Sequence, residues 1–274
     1  MITNVWKEHK KNTMKRIGIV GCGNLGISLL KGIKQNDDEA LIYGSKRNIS
    51  GISHLQDEKT IITSDNLDLI GNCEIIILAL KPYTILTFLK ENASYFNPKK
   101  HTIVSVATGI TITEMKSCFD FDIDVFRAMP NTASSVNESI TAISFGSDSL
   151  GRTNVVTSIF DCVGESIVID ESLMESATIL GACGIAYVLR FMRAMIQGGI
   201  EVGFDSTTAT KIVSQTVKGA AELIITNGSH PEEEIDKVTT PKGCTIVGLN
   251  EMEHSGFSSA LIKGIVTSYQ KIEK

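Results

Sequence analysis

Over its first 170 positions the chain alternates short apolar runs with longer segments whose apolar residues recur every three or four positions, and beyond that point the short runs stop. Runs at 17–20, 40–43, 60–63, 74–80, 101–106, 124–128, 139–145 and 166–169 predict strands. The run at 74–80, EIIILAL, is apolar throughout, as a central strand covered on both faces would be. Helices are expected after Gly26, from Asn66 to about 70 behind Ser64 and Asp65, from Pro82 to about 96, and near 154–163. Strands alternating with helices predict a doubly wound α/β sheet. From 171 onward only helix-length segments follow, at 172–203, 206–227, 232–238, 246–253 and 257–274. The stretch 176–203 is rich in alanine and glycine and apolar around most of its circumference, and so few helices cannot bury one another. An all-α dimerisation domain is the expectation; helices that pack back on the sheet are the alternative. The predicted organisation is an extension over 1–14, a nucleotide-binding sheet domain over 15–169, and a helical dimerisation and substrate domain over 170–274.

The turn after the first strand carries the clearest chemistry. Gly21, Gly23 and Gly26 stand in the spacing G-x-G-x-x-G between a strand and a helix. In a Rossmann-type sheet Gly21 allows the tight turn, Gly23 admits a pyrophosphate to the backbone, and Gly26 lets helix and strand pack closely. The N–H groups of the first helical turn, at Asn24, Leu25 and Gly26, would face the anion along the helix dipole. Glycine-rich turns also arise for packing alone. The second strand ends in Gly44, Ser45, Lys46 and Arg47, where an NAD site would place an acid on the ribose 2′-hydroxyl. Serine with basic neighbours suits a 2′-phosphate instead, so NADPH is expected, with NADH the other candidate and a plain solvated loop the competing reading. Lys81 closes a central strand, and Ala107 and Thr108 follow the next, at the edge where open α/β sheets bind ligands.

Composition narrows the classes. Of 274 residues 42% are hydrophobic; 26 basic and 31 acidic residues leave a net charge of −5. The charges are interspersed apart from residues 7–15, so no nucleic-acid footprint is expected. Six scattered cysteines form no C-x-x-C pair and no Cys/His cluster, which predicts no metal site and a reducing, cytoplasmic setting. No apolar run approaches the roughly 18 residues of a membrane span, and the polar start MITNVWKEHKKNTMK lacks the apolar core of a secretory signal.

These motifs together resemble the Δ1-pyrroline-5-carboxylate reductase family over nearly the whole chain from Lys15. The N-terminal signals are GCGNLG, Leu80-Lys81-Pro82, SVATGI at 105–110 and RAMPNT at 127–132. The more specific ones are C-terminal: Gly184-Ile185-Ala186-Tyr187, GGIEVG at 198–203, QTVKGAA at 215–221, residues 228–231, and above all DKVTTPKGCTIVG at 236–248. The resemblance implies a dinucleotide domain and a C-terminal domain whose helices interleave with a second subunit, in an enzyme that passes hydride from NAD(P)H to the C=N carbon of a pyrroline ring. Carried over by residue, it places Gly21, Gly23, Asn24, Leu25, Gly26, Ser45, Arg47, Asn66, Leu80, Lys81, Ala107 and Thr108 on the cofactor. Met129, Pro130 and Asn131 fall beside the nicotinamide. Thr240, Gly243, Cys244 and Thr245 match the substrate loop, with Glu171 and Thr178 near the substrate.

The loop's own chemistry agrees. Residues 240–245 run into a helix start whose N–H groups suit a carboxylate, and Thr245 can donate to the ring nitrogen or to its water. Cys244 has no histidine near it in sequence, and hydride transfer needs no covalent intermediate. Two departures bear on substrate preference. The family's S-G-S-G-P-A-Y is here Gly181-Ala182-Cys183-Gly184-Ile185-Ala186-Tyr187, and its P-G-G-T/A-T has Lys242 at the first glycine and Cys244 at the small residue. Catalysis would rest on positioning, with Thr245 the candidate catalytic residue and no strong general acid in the motifs. Three alternatives stay open: a reductase of another cyclic imine, a β-hydroxyacid-dehydrogenase-like enzyme, or a non-catalytic NADPH-binding regulator. Against the dehydrogenase, residues 180–190 lack the lysine its chemistry uses.

Overall fold

The computed structural model describes residues 15–272; the extension expected over 1–14 lies outside them. Strands β1 (Lys15–Val20), β2 (Ala40–Ser45), β3 (Thr60–Thr63), β4 (Ile75–Leu78), β5 (Thr102–Ser105), β6 (Asp124–Met129), β7 (Ser139–Phe145) and β8 (Gly164–Val168) form one sheet in the order β3-β2-β1-β4-β5-β6-β7-β8. All neighbours are parallel except β6 and β7. Between these two the chain has only residues 130–138, mostly the 3₁₀ turn Thr132–Val136. A parallel return needs a crossover of about a dozen residues or more, so β7 turns back antiparallel.

Helices α1 (Asn24–Asn36), α2 (Asn66–Asn72), α3 (Pro82–Asn92), α4 (Ile112–Lys116) and α5 (Thr153–Asp161) connect the strands. Asp65 caps α2 by accepting the N–H groups of Leu67 and Asp68. The short helix α4 was not foreseen, although its Thr111–Glu114 capping box is readable as T-x-x-E. Alternate residues of β4 explain its unbroken apolar run. Ile75 and Ile77 join one core with Leu29, Ile42, Phe126 and Phe160, while Ile76 and Leu78 join the other with Leu69, Ile85, Leu89 and Val125. Each such buried side chain contributes about 1.5–3 kcal/mol by leaving water.

Beyond β8 come a 3₁₀ turn (Glu171–Leu173), α6 (Met174–Ala177), a π-helical turn (Thr178–Cys183), α7 (Gly184–Glu201), α8 (Ser206–Asn227), α9 (Pro231–Val238), α10 (Cys244–His254) and α11 (Phe257–Ile272). The described residues form two compact units that part between Ala182 and Cys183. Met174 is buried against Met129 and Ala142, so the start of this helical stretch packs with the sheet unit. In the second unit α7 packs on α8 through Ile196, Ala209 and Val213. Tyr187 Oη donates to Ser268 Oγ at 2.7 Å, and the rings of Phe191 and Phe257 lie 6.0 Å apart. Helices α10 and α11 have no buried residue.

One expectation needs correction. The helical stretch Glu171–Glu201 is, by length and composition, long and apolar enough to cross a membrane. Glycine, alanine and hydroxyl residues interrupt the strictly apolar run, yet charges are too sparse to break its overall apolar character.

Candidate active site

The three glycines occupy the turn as their spacing requires. Gly21 has φ +97°, and a Cβ there would lie 2.7 Å from Ala79 O. At Gly26 a Cβ would lie 2.5 Å from Gly21 O, which fixes how closely α1 approaches the strand. At Gly23 a Cβ would meet nothing within 4 Å; that space faces outward. Gly23 is the N-cap of α1 and brings no side-chain cap. The first helical bond runs from Ile27 N–H to Gly23 O, so the N–H groups of Asn24, Leu25 and Gly26 precede the helical ladder. Ser45 O accepts from Gly21 N and Cys22 N at 3.1 and 2.8 Å and locks the glycine turn to the end of β2.

Three adjoining cavities run along the carboxyl edge. The first, about 740 Å³, is lined by Gly21, Gly23, Ser45, Lys46, Arg47, Asn48, Asn66, Leu80 and Lys81, together with the α3 face Tyr83, Thr84, Thr87, Phe88 and Glu91. The second, about 380 Å³, lies among Asn24, Leu25, Gly26, Lys81, Ala107 and Thr108. The third, about 420 Å³, lies among Asn24, Leu25, Pro130, Asn131 and Ala182. Met129 is buried beside them and its sulfur accepts from Thr108 Oγ1 at 3.9 Å. Every residue expected on the cofactor is therefore gathered at one edge.

The residues fit a phosphorylated dinucleotide. Ser45 Oγ donates to Asn66 Oδ1 at 2.6 Å, which leaves the Asn66 amide nitrogen as a donor. Lys46 and Arg47 form no ion pair among the described residues, so their charge is available to a phosphate. No carboxylate stands at the end of β2. Cys22 is no rival for chemistry here, since burial pushes its thiol up to about 11. The α3 face, including the 83% exposed Tyr83, escaped sequence analysis. Its positions 83, 84, 87, 88 and 91 share one helical face, but which face meets the cavity depends on how α3 docks.

The expected substrate residues divide between the two units. In the first, Glu171 Oε1 accepts from Ile112 N at 2.8 Å and Arg127 Nη1 at 3.2 Å, while buried Thr178 donates its hydroxyl to Met174 O at 2.8 Å. Both are engaged by protein groups. In the second, Gly243 is the N-cap of α10, its N–H bonds Thr240 O at 2.9 Å, and a Cβ on it would lie 2.6 Å from Thr240 Oγ1. The N–H groups of Cys244 and Thr245 open the helix, both residues are exposed, and the Thr245 hydroxyl has no partner among the described residues. Lys242 holds φ +62°, a left-handed conformation that costs a residue with a side chain about 1–2 kcal/mol and explains why glycine suits the position. Among the described residues no cluster could hold a metal.

A glycine turn opening onto adjoining cavities at the carboxyl edge of a Rossmann-type sheet is the arrangement of a dinucleotide-dependent oxidoreductase. The family models agree: "NADP oxidoreductase coenzyme F420-dependent" matches residues 16–109, and "Pyrroline-5-carboxylate reductase dimerisation" matches residues 171–274. Pyrroline-5-carboxylate reductase 2 of Dictyostelium discoideum is 42% identical over 95% of this chain and 93% of its own length. Pyrroline-5-carboxylate reductase 1 of the same organism is also 42% identical, over 93% of this chain, which spans 49% of that longer protein. A solved pyrroline-5-carboxylate reductase from Coxiella burnetii is 25% identical with a TM-score of 0.89, over 95% of this chain and 98% of that one. The chain belongs to the pyrroline-5-carboxylate reductase family.

Proposed function

We propose that this protein reduces the C=N bond of 1-pyrroline-5-carboxylate to give L-proline, the last step of proline biosynthesis. The observation that carries the reading is the glycine turn and the Ser45–Arg47 loop gathered on one cavity, in a chain 42% identical, over nearly its full length, to a pyrroline-5-carboxylate reductase. NAD(P)H, when bound, supplies the hydride. Asn24, Leu25 and Gly26 hold the pyrophosphate with backbone N–H groups, and Ser45, Arg47 and Asn66 hold the 2′-phosphate. Lys81, Ala107, Thr108, Met129, Pro130 and Asn131 bound the ring end of the edge. The N–H groups of Cys244 and Thr245, behind Gly243, receive the substrate carboxylate, with Thr240 bracing the loop. Thr245 Oγ1 donates toward the ring nitrogen, which gains a proton as the adjacent carbon gains hydride.

The exposed apolar side chains of the second unit, Leu189, Phe204, Ile225, Val247, Leu261 and Ile262 among them, suit a homodimer or larger assembly formed through the C-terminal helices. The same helices account for the apolar stretch Glu171–Glu201 without a membrane. All six cysteines are free, which suits the cytoplasm. Nucleic acid is not a partner on the charge pattern.

The deciding experiment is loss of NADPH absorbance on adding racemic 1-pyrroline-5-carboxylate, run beside Thr245→Val. Substrate-dependent oxidation, reduced about tenfold or more in the variant with cofactor affinity intact, is the expected result for a donor used mainly in the transition state. Full activity in Thr245→Val removes the donor role, and cofactor binding without turnover removes the substrate.

A further inference from the structure

Arg127 lies in β6 with 2% of its surface exposed. Its strand neighbours in register are Ser105 and Ser144, so its charge is not met within the sheet. Two carboxylates meet it from the start of the long helix: Glu171 Oε1 accepts from Nη1 at 3.2 Å and Glu175 Oε1 accepts from Nη2 at 2.9 Å. A buried ion pair is often no more stabilising than apolar side chains of the same volume, so such a cluster is better explained by the geometry it imposes.

That geometry concerns both sides of the ring end of the cavity edge. The Glu171 oxygen that binds Arg127 also accepts the N–H of Ile112, at the start of α4, four residues after Thr108. This ties the loop after β5 to β6. Two residues beyond Arg127 comes Met129, whose sulfur receives the Thr108 hydroxyl. Two further on, Asn131 Nδ2 donates to Gly181 O at 3.1 Å, inside the π-helical turn. Glu171, Glu175 and Gly181 thus secure successive turns of one helix to the loop and to the strand that form the two lips.

We propose that Arg127, with Glu171 and Glu175, acts as a positioning group that sets the gap between Ala107–Thr108 on one side and Met129, Pro130 and Asn131 on the other, and so the seat of the nicotinamide ring. The inference rests on reading this edge as the hydride-transferring end. It also gives Glu171 a positioning role rather than a contact with substrate.

The test compares wild type with Arg127→Lys and Glu171→Gln; Glu171 is partly exposed, so its variant remains informative should Arg127→Lys fail to fold. Affinity for 2′,5′-ADP, which reaches only the Ser45–Arg47 end, should stay within about twofold. The fluorescence lifetime of bound NADPH should fall toward that of the free cofactor. With 1-pyrroline-5-carboxylate, kcat should fall about tenfold or more, because sub-ångström misplacement is costly to transfer, and the isotope effect on kcat with 4,4-dideuterated NADPH should rise. Unchanged lifetime and kcat in folded Glu171→Gln would overturn the proposal. So would a raised KM for the imine with kcat and isotope effect intact, which would make Glu171 a substrate contact. Should wild type fail to turn over this imine, the functional reading fails, and the NADPH lifetime still decides the positioning role.

Discussion

At the scale of single residues the three glycines have separable duties. Gly23→Ala should fold with stability within about 0.5 kcal/mol of wild type, because its Cβ meets no atom and its φ of −81° is ordinary. It should nevertheless lose about tenfold or more in NADPH affinity, since the methyl enters the space reserved for the pyrophosphate. Gly26→Ala should show the reverse primary defect, a loss of about 1–3 kcal/mol in denaturant unfolding, as its Cβ would overlap Gly21 O. Gly23→Ala binding NADPH normally would contradict the assignment of that space. Arg47 is exposed and unpaired among the described residues. Arg47→Ala should raise KM for NADPH about tenfold or more while leaving KM for NADH nearly unchanged, the value of a charge-assisted phosphate contact. Equal effects on both cofactors would remove the 2′-phosphate cradle.

Among the elements, the loop that enters β5 carries a titration built into the fold. His101 is buried, accepts Asn97 N–H at Nδ1 (3.0 Å) and packs edge-on to Phe96. Burial, with help from Lys100 and Arg152, pushes its pKa down to about 4. The folded protein therefore keeps His101 neutral where the unfolded chain, with an ordinary histidine pKa near 6.5, takes up a proton. This contribution to stability is complete above pH ~6.5 and is lost as pH falls from ~6.5 toward ~4. Thermal melts of His101→Gln should fall less steeply than wild type across that window, whatever the variant's stability at neutral pH. Parallel slopes would show that His101 does not titrate in this way. The helix α3 makes a different point: its cavity-facing side was unreadable in sequence, because the docking angle of a helix is set by the core beneath it, here Ile85 and Leu89.

For the whole molecule, the feature that decides behaviour is the apolar surface of the second unit. A helix such as α11 with no buried residue gains little from its own chain, and its exposed Leu261, Ile262 and Val266 are the kind of side chains a partner subunit covers. Sedimentation should show a species of at least twice the 29.7 kDa chain. Ile262→Asp should shift it toward monomer and lower activity with it; an unshifted assembly would place the interface elsewhere.

Sequence alone was enough for the eight strand positions, the glycine turn and the family, because each depends on local periodicity, turn chemistry or a contiguous motif. Tertiary structure decided what depends on distant residues meeting. The short link over 130–138 turned β7 antiparallel, Met174 drew the helix start into the sheet unit, and Arg127 engaged Glu171 across the gap between β6 and the long helix. No pattern along the chain marks that last pairing, since a buried arginine and a glutamate 44 residues away reveal their relation only when the strand and helix pack.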